Sequence, residues 1–559
     1  MKNLFGLIKK NKIKTIIIFA IILFAKIMIS FQHAGPYMFS DESCVIEKAK
    51  YLAQTGTLET CKYIVGAPAG DPLPGYSIAI SPIYMLFDGY NAYLAILIFN
   101  AILASILFWP LLSITKKTVP DINENLAILI TMITLFTPQV VLYEKMVLTE
   151  SFFLFNTIWF LYFYSKGLEL DKFKYKIVAV IFGLIASITR PFGFIILMAM
   201  VVNELLISKH KKQTFLVLLP ITIFAIGLAF FLLGNIVGEI LHKIKNFSNL
   251  DAVLNALISV KNSVTTILVG TFIFTSIIFL DHIWDEKNTY VAKFKWFLLS
   301  LVFFNIAIVS YHIYGYLILG TNLDLLSRYL NISIILINFF GMVFMAKTKV
   351  FEPTTRKVII TSIFLVTLLL FKFNESKHSL NLDFMLYFDE TKINALNQAE
   401  PNIFLKLFFI PICALLVAAS YIDTKTKRVF FSACTLLFII QGCLTYNYNA
   451  SFSTKIHEDR LYAFFKDTKA NVLLITSYKD RFPDLDLWRL RSTTENNIQL
   501  AYLNDLKTDY PIPNFDQEYA KKQIENFDYV LTKYPLNLEP LFDEPRGKIV
   551  YKVNHDEQP

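Results

Sequence analysis

The chain has 559 residues, of which 55% are hydrophobic and 17% charged, with a mean hydropathy of +0.50. A soluble chain of this length carries more surface charge, and 52 Phe with 28 Tyr fit lipid-facing surface and interfacial belts. The formal charge of +9 sits in short basic clusters between apolar blocks, which excludes a nucleic-acid-binding stripe and matches the positive-inside pattern.

From the N-terminus, Lys9-Lys10-Asn11-Lys12 leads into an apolar run from Ile13 to Ser30. Gln32-His33-Ala34 lacks small residues at the spacing of a cleavage site, so the run reads as an uncleaved first span. A span needs about 20 mainly apolar residues. About thirteen are expected by that rule, near 13–31, 91–113, 125–142, 150–165, 175–189, 192–208, 213–235, 263–281, 295–319, 326–346, 357–372, 402–421 and 429–446.

Starting inside, an odd number of spans puts the C-terminus outside. Every loop then assigned inside is basic, including Lys116-Lys117, Lys166 to Lys176, Lys209 to Lys212, Lys347 to Lys357 and Lys425 to Arg428. Loops assigned outside have a Lys/Arg density roughly threefold lower. The expectation is an integral protein of the plasma or inner membrane with a cytoplasmic N-terminus.

Three polar segments fall outside: 32–90, 236–262 and 373–401. The tail from 447 to 559 changes character. Strand-like stretches at Val472–Thr476, Tyr529–Thr532 and Ile549–Val553 alternate with helix-like ones at Asp459–Lys469 and Gln517–Glu525. The predicted organisation is an α-helical polytopic membrane domain over 1–446, with a first extracytoplasmic loop at 32–90. A small C-terminal extracytoplasmic α/β domain over 447–559 follows it. Five cysteines are too few for a disulfide scaffold. Cys44 and Cys61 share one outside loop, where an oxidising compartment would permit a bond.

The outside segments carry the polar residues that could do chemistry. Ser40-Asp41-Glu42 opens a stretch with Val45, Ile46, Ala49, Leu52 and Ala53 at helical spacing, an amphipathic helix suited to a membrane surface. The plain reading of the two acids is a capped helix start. The sharper one is catalytic. Neighbours on a helix point about 100° apart, so one acid, Asp41, would face a reaction centre while Glu42 braces the loop or holds a metal. A carboxylate at this boundary can serve as a base toward an acceptor hydroxyl or amine.

Thr149-Glu150-Ser151 opens the fourth span, with a capped helix as its plain reading. In Thr189-Arg190-Pro191, the Arg sits between two apolar runs. An unpaired Arg at bilayer depth costs about 2.5–3.5 kcal/mol on insertion scales, so Arg190 belongs at the outer surface or beside an anion. Ser327-Arg328-Tyr329 stands at the outer entrance of another span, and two guanidinium groups there suit a phosphate. His312 lies shortly before and lines the same cavity or is a core histidine.

In this order the residues resemble the GT-C superfamily of integral-membrane glycosyltransferases. The resemblance rests on Asp41-Glu42 early in the first outside loop, a Pro-containing return (Pro72, Pro74, Pro82) and the Asn100-Ala101 span. It continues through Thr149-Glu150-Ser151, Thr189-Arg190-Pro191 and Arg328-Tyr329. The superfamily includes protein O-mannosyltransferases and aminoarabinose transferases acting on lipid A, which use polyprenyl- or dolichyl-phosphate sugars on the non-cytoplasmic side.

The resemblance implies Asp41 as base with Glu42 assisting, and Arg190 and Arg328, with Tyr329, at the carrier phosphate. Glu150 and His312 would shape the sugar or acceptor site. Transfer would invert the anomeric carbon. The implied partners are a polyprenyl-phosphate-linked sugar, membrane lipids, and a lipid, glycan or protein acceptor, with no nucleic acid. Some relatives use a divalent metal and others do not, so the metal stays open. Two other classes compete. A transporter or flippase should show intramembrane acids along a pathway. A polysaccharide polymerase or ligase would use the late segment 373–401 with Asp389-Glu390.

Overall fold

The computed structural model describes residues 2–31, 40–58, 73–207, 250–271, 274–285, 290–318, 326–347 and 429–437. In the C-terminal segment it describes 460–465, 468–476, 497–502, 526–532, 540–543 and 549–553, with a few isolated positions elsewhere. For residues 2–12, 40, 41, 43, 312–318 and 326–328, among others, the backbone alone is described. The expected spans at 213–235, 357–372 and 402–421, the segment 373–401 and the helix at 517–525 lie largely or wholly outside the described residues.

The first ten helices are α1 (Lys2–Phe31), α2 (Ser40–Thr55), α3 (Gly75–Tyr84), α4 (Gly89–Ile106), α5 (Phe108–Thr118), α6 (Glu124–Leu135), α7 (Pro138–Glu144), α8 (Thr149–Leu170), α9 (Phe173–Thr189) and α10 (Gly193–Ile207). After them come α11 (Leu250–Gly270), α12 (Phe274–Asp285), α13 (Lys295–Ile318) and α14 (Leu326–Lys347). Among the described residues, Ile13–Phe31, Gly89–Thr118 and Tyr329–Ala346 are long and apolar enough to cross a membrane. Along α1, Ile13, Ile17, Ile21, Phe24, Met28 and Phe31 form an exposed apolar stripe, while Thr15, Ile22, Lys26 and Ser30 are buried on another face. An apolar stripe turned outward fits lipid better than water.

Proline explains an irregularity within one expected span and the break of another. Pro110 removes a backbone donor where α4 gives way to α5. Pro138 occupies the first position of α7, where a missing N–H costs nothing, and it ends the run expected over 125–142. A larger departure occurs at 236–262, expected to be a loop, where α11 begins at Leu250. Leu254, Leu257 and Ile258 recur at helical spacing and are exposed. This is the pattern of a helix with an outward apolar face.

Packing divides the chain into two compact units. The first comprises Met1–Phe24, Ile102–Tyr143 and Glu150–Tyr448; the second comprises Ala25–Ala101, Glu144–Thr149 and Asn449–Pro559. In the first unit α10 and α11 pack on α13, and α12 packs on α14. At the last contact a Cβ on Gly341 would come within 2.6 Å of the Thr275 carbonyl oxygen, so only glycine fits.

In the second unit α2 packs on α3. Five strands, β1 (Asn471–Thr476), β2 (Asn497–Tyr502), β3 (Tyr529–Thr532), β4 (Pro540–Asp543) and β5 (Ile549–Lys552), form a sheet in the order β2-β1-β3-β5-β4. The pairs β1–β2 and β1–β3 are parallel, and β3–β5 and β4–β5 antiparallel. Its core holds Leu473, Ile475, Val530 and Tyr551. Pro540 opens an edge strand, where a missing donor is tolerated.

A buried charge cluster pins the short segment 144–149. Lys26 Nζ meets Glu144 Oε2 at 2.5 Å, and Lys145 Nζ lies 3.3 Å from Glu144 Oε1. Lys145 also donates to the Lys26 carbonyl at 3.1 Å and to Ser30 Oγ at 3.0 Å. Burial holds Lys145 below the ordinary lysine range; Glu144 opposes that and Lys26 adds to it. Two ammonium groups thus share one carboxylate out of water. Glu144→Gln should cost about 3–5 kcal/mol in an unfolding titration, and adding Lys26→Met should recover part of it.

Candidate functional site

In the second unit a polar centre forms around α2. Glu42 lies in its first turn and is 1% exposed. Its Oε1 accepts from the Tyr93 hydroxyl at 2.8 Å and from the Val147 N–H at 2.9 Å. Beside this, Asn100 accepts from the Tyr76 hydroxyl at 2.7 Å and donates to the Met146 carbonyl at 2.9 Å. Residues 144 to 147 are therefore each fixed by a side chain or by their own charge.

Cys44, Val45, Ile46, Lys48 and Ala49 are buried, and the Val45 carbonyl accepts from Ser77 Oγ. The inner face of α2 is thus packed against α3, and Tyr93 and Val147 bind one oxygen of its acid, Oε1, while Oε2 is buried without a hydrogen-bond partner. Cys44 is disulfide-bonded; the other half of the bond, like Cys61, lies outside the described residues.

Burial is the largest influence on Glu42 and pushes its pKa from 4.5 up to about 8, against the opposing Val147 N–H and Tyr93 hydroxyl. The unfolded chain ionises near its ordinary value, while the folded chain keeps the proton until about 8. The contribution of Glu42 to stability is therefore present at low pH and lost as pH rises between these values. Thermal midpoints measured from pH 5 to 8.5 should fall in the wild type, and Glu42→Gln should flatten that slope.

The first unit holds the second centre. Arg190 ends α9 in an extended conformation, φ −144° and ψ 145°, because the following Pro191 disfavours a helical residue before it. Gly193 then turns the chain into α10. A Cβ there would lie 2.3 Å from the backbone of Ala186 and Ser187, so this tight reversal requires glycine. The reversal leaves Arg190 6% exposed, with Nη1 2.5 Å from Glu150 Oε1.

Phe153, Phe192 and Tyr329 surround the guanidinium, with ring centroids 5.7 to 5.9 Å from its carbon. Cation–π attraction of this kind adds about 2 kcal/mol when desolvated. Glu150, Arg190, Tyr329 and Asn331 line a cleft of about 290 Å³. A second cleft, of about 240 Å³, has Tyr143, Ser151, Glu150 and Asn331 in its wall.

Glu150, Arg190 and Tyr329, chosen from sequence, thus come together at one cleft, and Glu42 stands in the separate polar centre of the second unit. The backbone of Asp41 lies in the first turn of α2, that of Arg328 in the first turn of α14, and that of His312 within α13. Their side chains lie outside the described residues. Sequence reasoning missed Lys26 and Tyr93, and it quoted Asn100 only within the resemblance, without a role. A lysine inside an apolar run was the available signal for the first; the other two are common residues that only packing distinguishes. Among the described residues no three His, Cys, Asp or Glu side chains gather as a metal site.

No protein-family model matches the sequence, and no curated protein matches it. Solved structures do match. ArnT from Cupriavidus metallidurans bound to undecaprenyl phosphate superposes with a TM-score of 0.53 at 11% identity, over 96% of this chain and 97% of that one. Its apo state gives 0.49 at 12% identity over the same shares. The archaeal oligosaccharyltransferase AglB from Archaeoglobus fulgidus, in complex with an inhibitory peptide and a dolichol-phosphate, gives 0.43 at 11% identity over 92% and 69%. At these identities the likeness to ArnT is one of fold.

Proposed function

We propose, from the GT-C fold that this chain carries, that it is an integral-membrane glycosyltransferase. It moves a sugar from a polyprenyl-phosphate or dolichyl-phosphate donor to an extracytoplasmic acceptor, with inversion. The observation that carries this reading is the buried Arg190, boxed by aromatic rings, paired with one carboxylate and exposed to a cleft. A buried guanidinium offers five N–H donors in a fixed fork, and Glu150 engages Nη1. Further donors of the fork suit phosphate oxygens.

In this reading Asp41 takes the proton of the acceptor hydroxyl or amine. The acceptor oxygen or nitrogen forms a bond to the anomeric carbon as the bond to the phosphate oxygen breaks from the opposite side. The leaving group departs as a polyprenyl phosphate, and the charge it gathers is met by Arg190 and Arg328, with Tyr329 beside them. Such a leaving group needs charge stabilisation more than protonation.

Glu42, uncharged at neutral pH and tied to Val147, holds the loop and does not compete for the acceptor proton. Glu150 and His312 shape the sugar or acceptor site. The expected topology keeps the N-terminus in the cytoplasm, about thirteen spans, and residues 447–559 as an extracytoplasmic α/β domain.

The test is transfer by purified protein in nanodiscs from a panel of polyprenyl-phosphate sugars. Asp41→Asn should lose transfer by about a thousandfold or more while its thermal midpoint stays unchanged. Retained transfer in the variant would remove Asp41 from its role. No turnover on any donor would favour the transporter reading, which the buried Lys26–Glu144–Lys145 cluster would then serve.

A further inference from the structure

The two clefts of the first unit share Glu150, Leu154 and Asn331. Arg190 lies in the wall of one, and Tyr143 and Ser151 in the wall of the other. Asn331 stands at the seam.

Asn331 is 7% exposed, and its Oδ1 meets no hydrogen-bond donor. A buried polar atom in that state calls for an explanation. The residues on either side of it are committed elsewhere. Asn305 donates to the Tyr329 carbonyl at 3.1 Å and accepts from Ser333 Oγ at 2.7 Å. These bonds hold the start of α14 in register without any help from the Asn331 amide. The Asn331 Oδ1 is thus buried and unused by the fold.

Resting on the glycosyltransferase reading, we propose that Asn331 is a sugar-specificity residue: its Oδ1 accepts a hydrogen bond from a hydroxyl of the transferred sugar where the two clefts meet. A buried acceptor of this kind selects a substrate hydroxyl strongly, because an analogue without it leaves the acceptor bare. Bare polyprenyl phosphate, which has no sugar, should be indifferent to Asn331.

The experiment compares binding of undecaprenyl phosphate with that of its glucosyl, mannosyl, galactosyl and arabinosyl esters in nanodiscs. The wild type should bind at least one ester about tenfold or more tighter than the bare lipid. Asn331→Leu should erase that preference and keep bare-lipid affinity within about twofold. Asn331→Thr retains an acceptor oxygen; it should keep part of the preference, and it stands in if the leucine variant fails to fold. An undiminished preference in the variants overturns the assignment, as does a wild type that prefers no ester. So does loss of bare-lipid binding in the variants, which would mark a structural role. A wild type that does not bind the bare lipid overturns the donor reading itself.

Discussion

Around Arg190 a full charge is held in a place that water scarcely reaches. Its guanidinium keeps one carboxylate, Glu150, at 2.5 Å and three aromatic rings within 6 Å. Withdrawing two charges from water costs several kcal/mol for each, and their attraction offsets this only with good geometry. Hydrophobic residues of similar size would often stabilise such a site as well or better. A buried pair beside an open cleft is therefore better explained by what it can bind than by what it holds together. The local fold serves the same end, since Pro191 and Gly193 force the reversal that presents the arginine.

The second unit solves a different problem with similar means. Residues 145 to 147 lie between α7 and α8, yet they and Glu144 are buried, so their polar groups need partners. Lys26, Asn100 and Glu42 supply them from separate helices. Burial keeps Glu42 toward its uncharged form even though both donors favour the carboxylate. The neighbouring acids of the Asp41-Glu42 pair can in this way be given unlike duties, one bracing a loop and one left for chemistry.

Much of this was legible in the sequence for simple reasons. Long apolar runs such as Ile13–Ser30 and Leu326–Ala346 fix helices by length alone, and an arginine before proline between two such runs marks itself. Three strands of the C-terminal sheet showed as apolar stretches at 472–476, 529–532 and 549–553, whereas Asn497–Tyr502 carries Asn497 and Gln499 and Pro540–Asp543 is bounded by a proline and an aspartate, so neither stands out. Breaks inside apolar runs were harder, because Pro110 and Pro138 change the helix path without changing hydropathy. The pairing of Glu150 with Arg190, forty residues apart in the chain, depends on how α8 and α9 pack and has no local signature. Asn331 is invisible for the same reason: a single asparagine in an apolar helix means little until its neighbours are seen to be bonded elsewhere.

A structure of the protein with undecaprenyl phosphate bound tests the central claim most directly. Phosphate oxygens should lie about 2.7–2.9 Å from the guanidinium nitrogens of Arg190, inside the box of Phe153, Phe192 and Tyr329. A phosphate seated away from Arg190 would contradict the account.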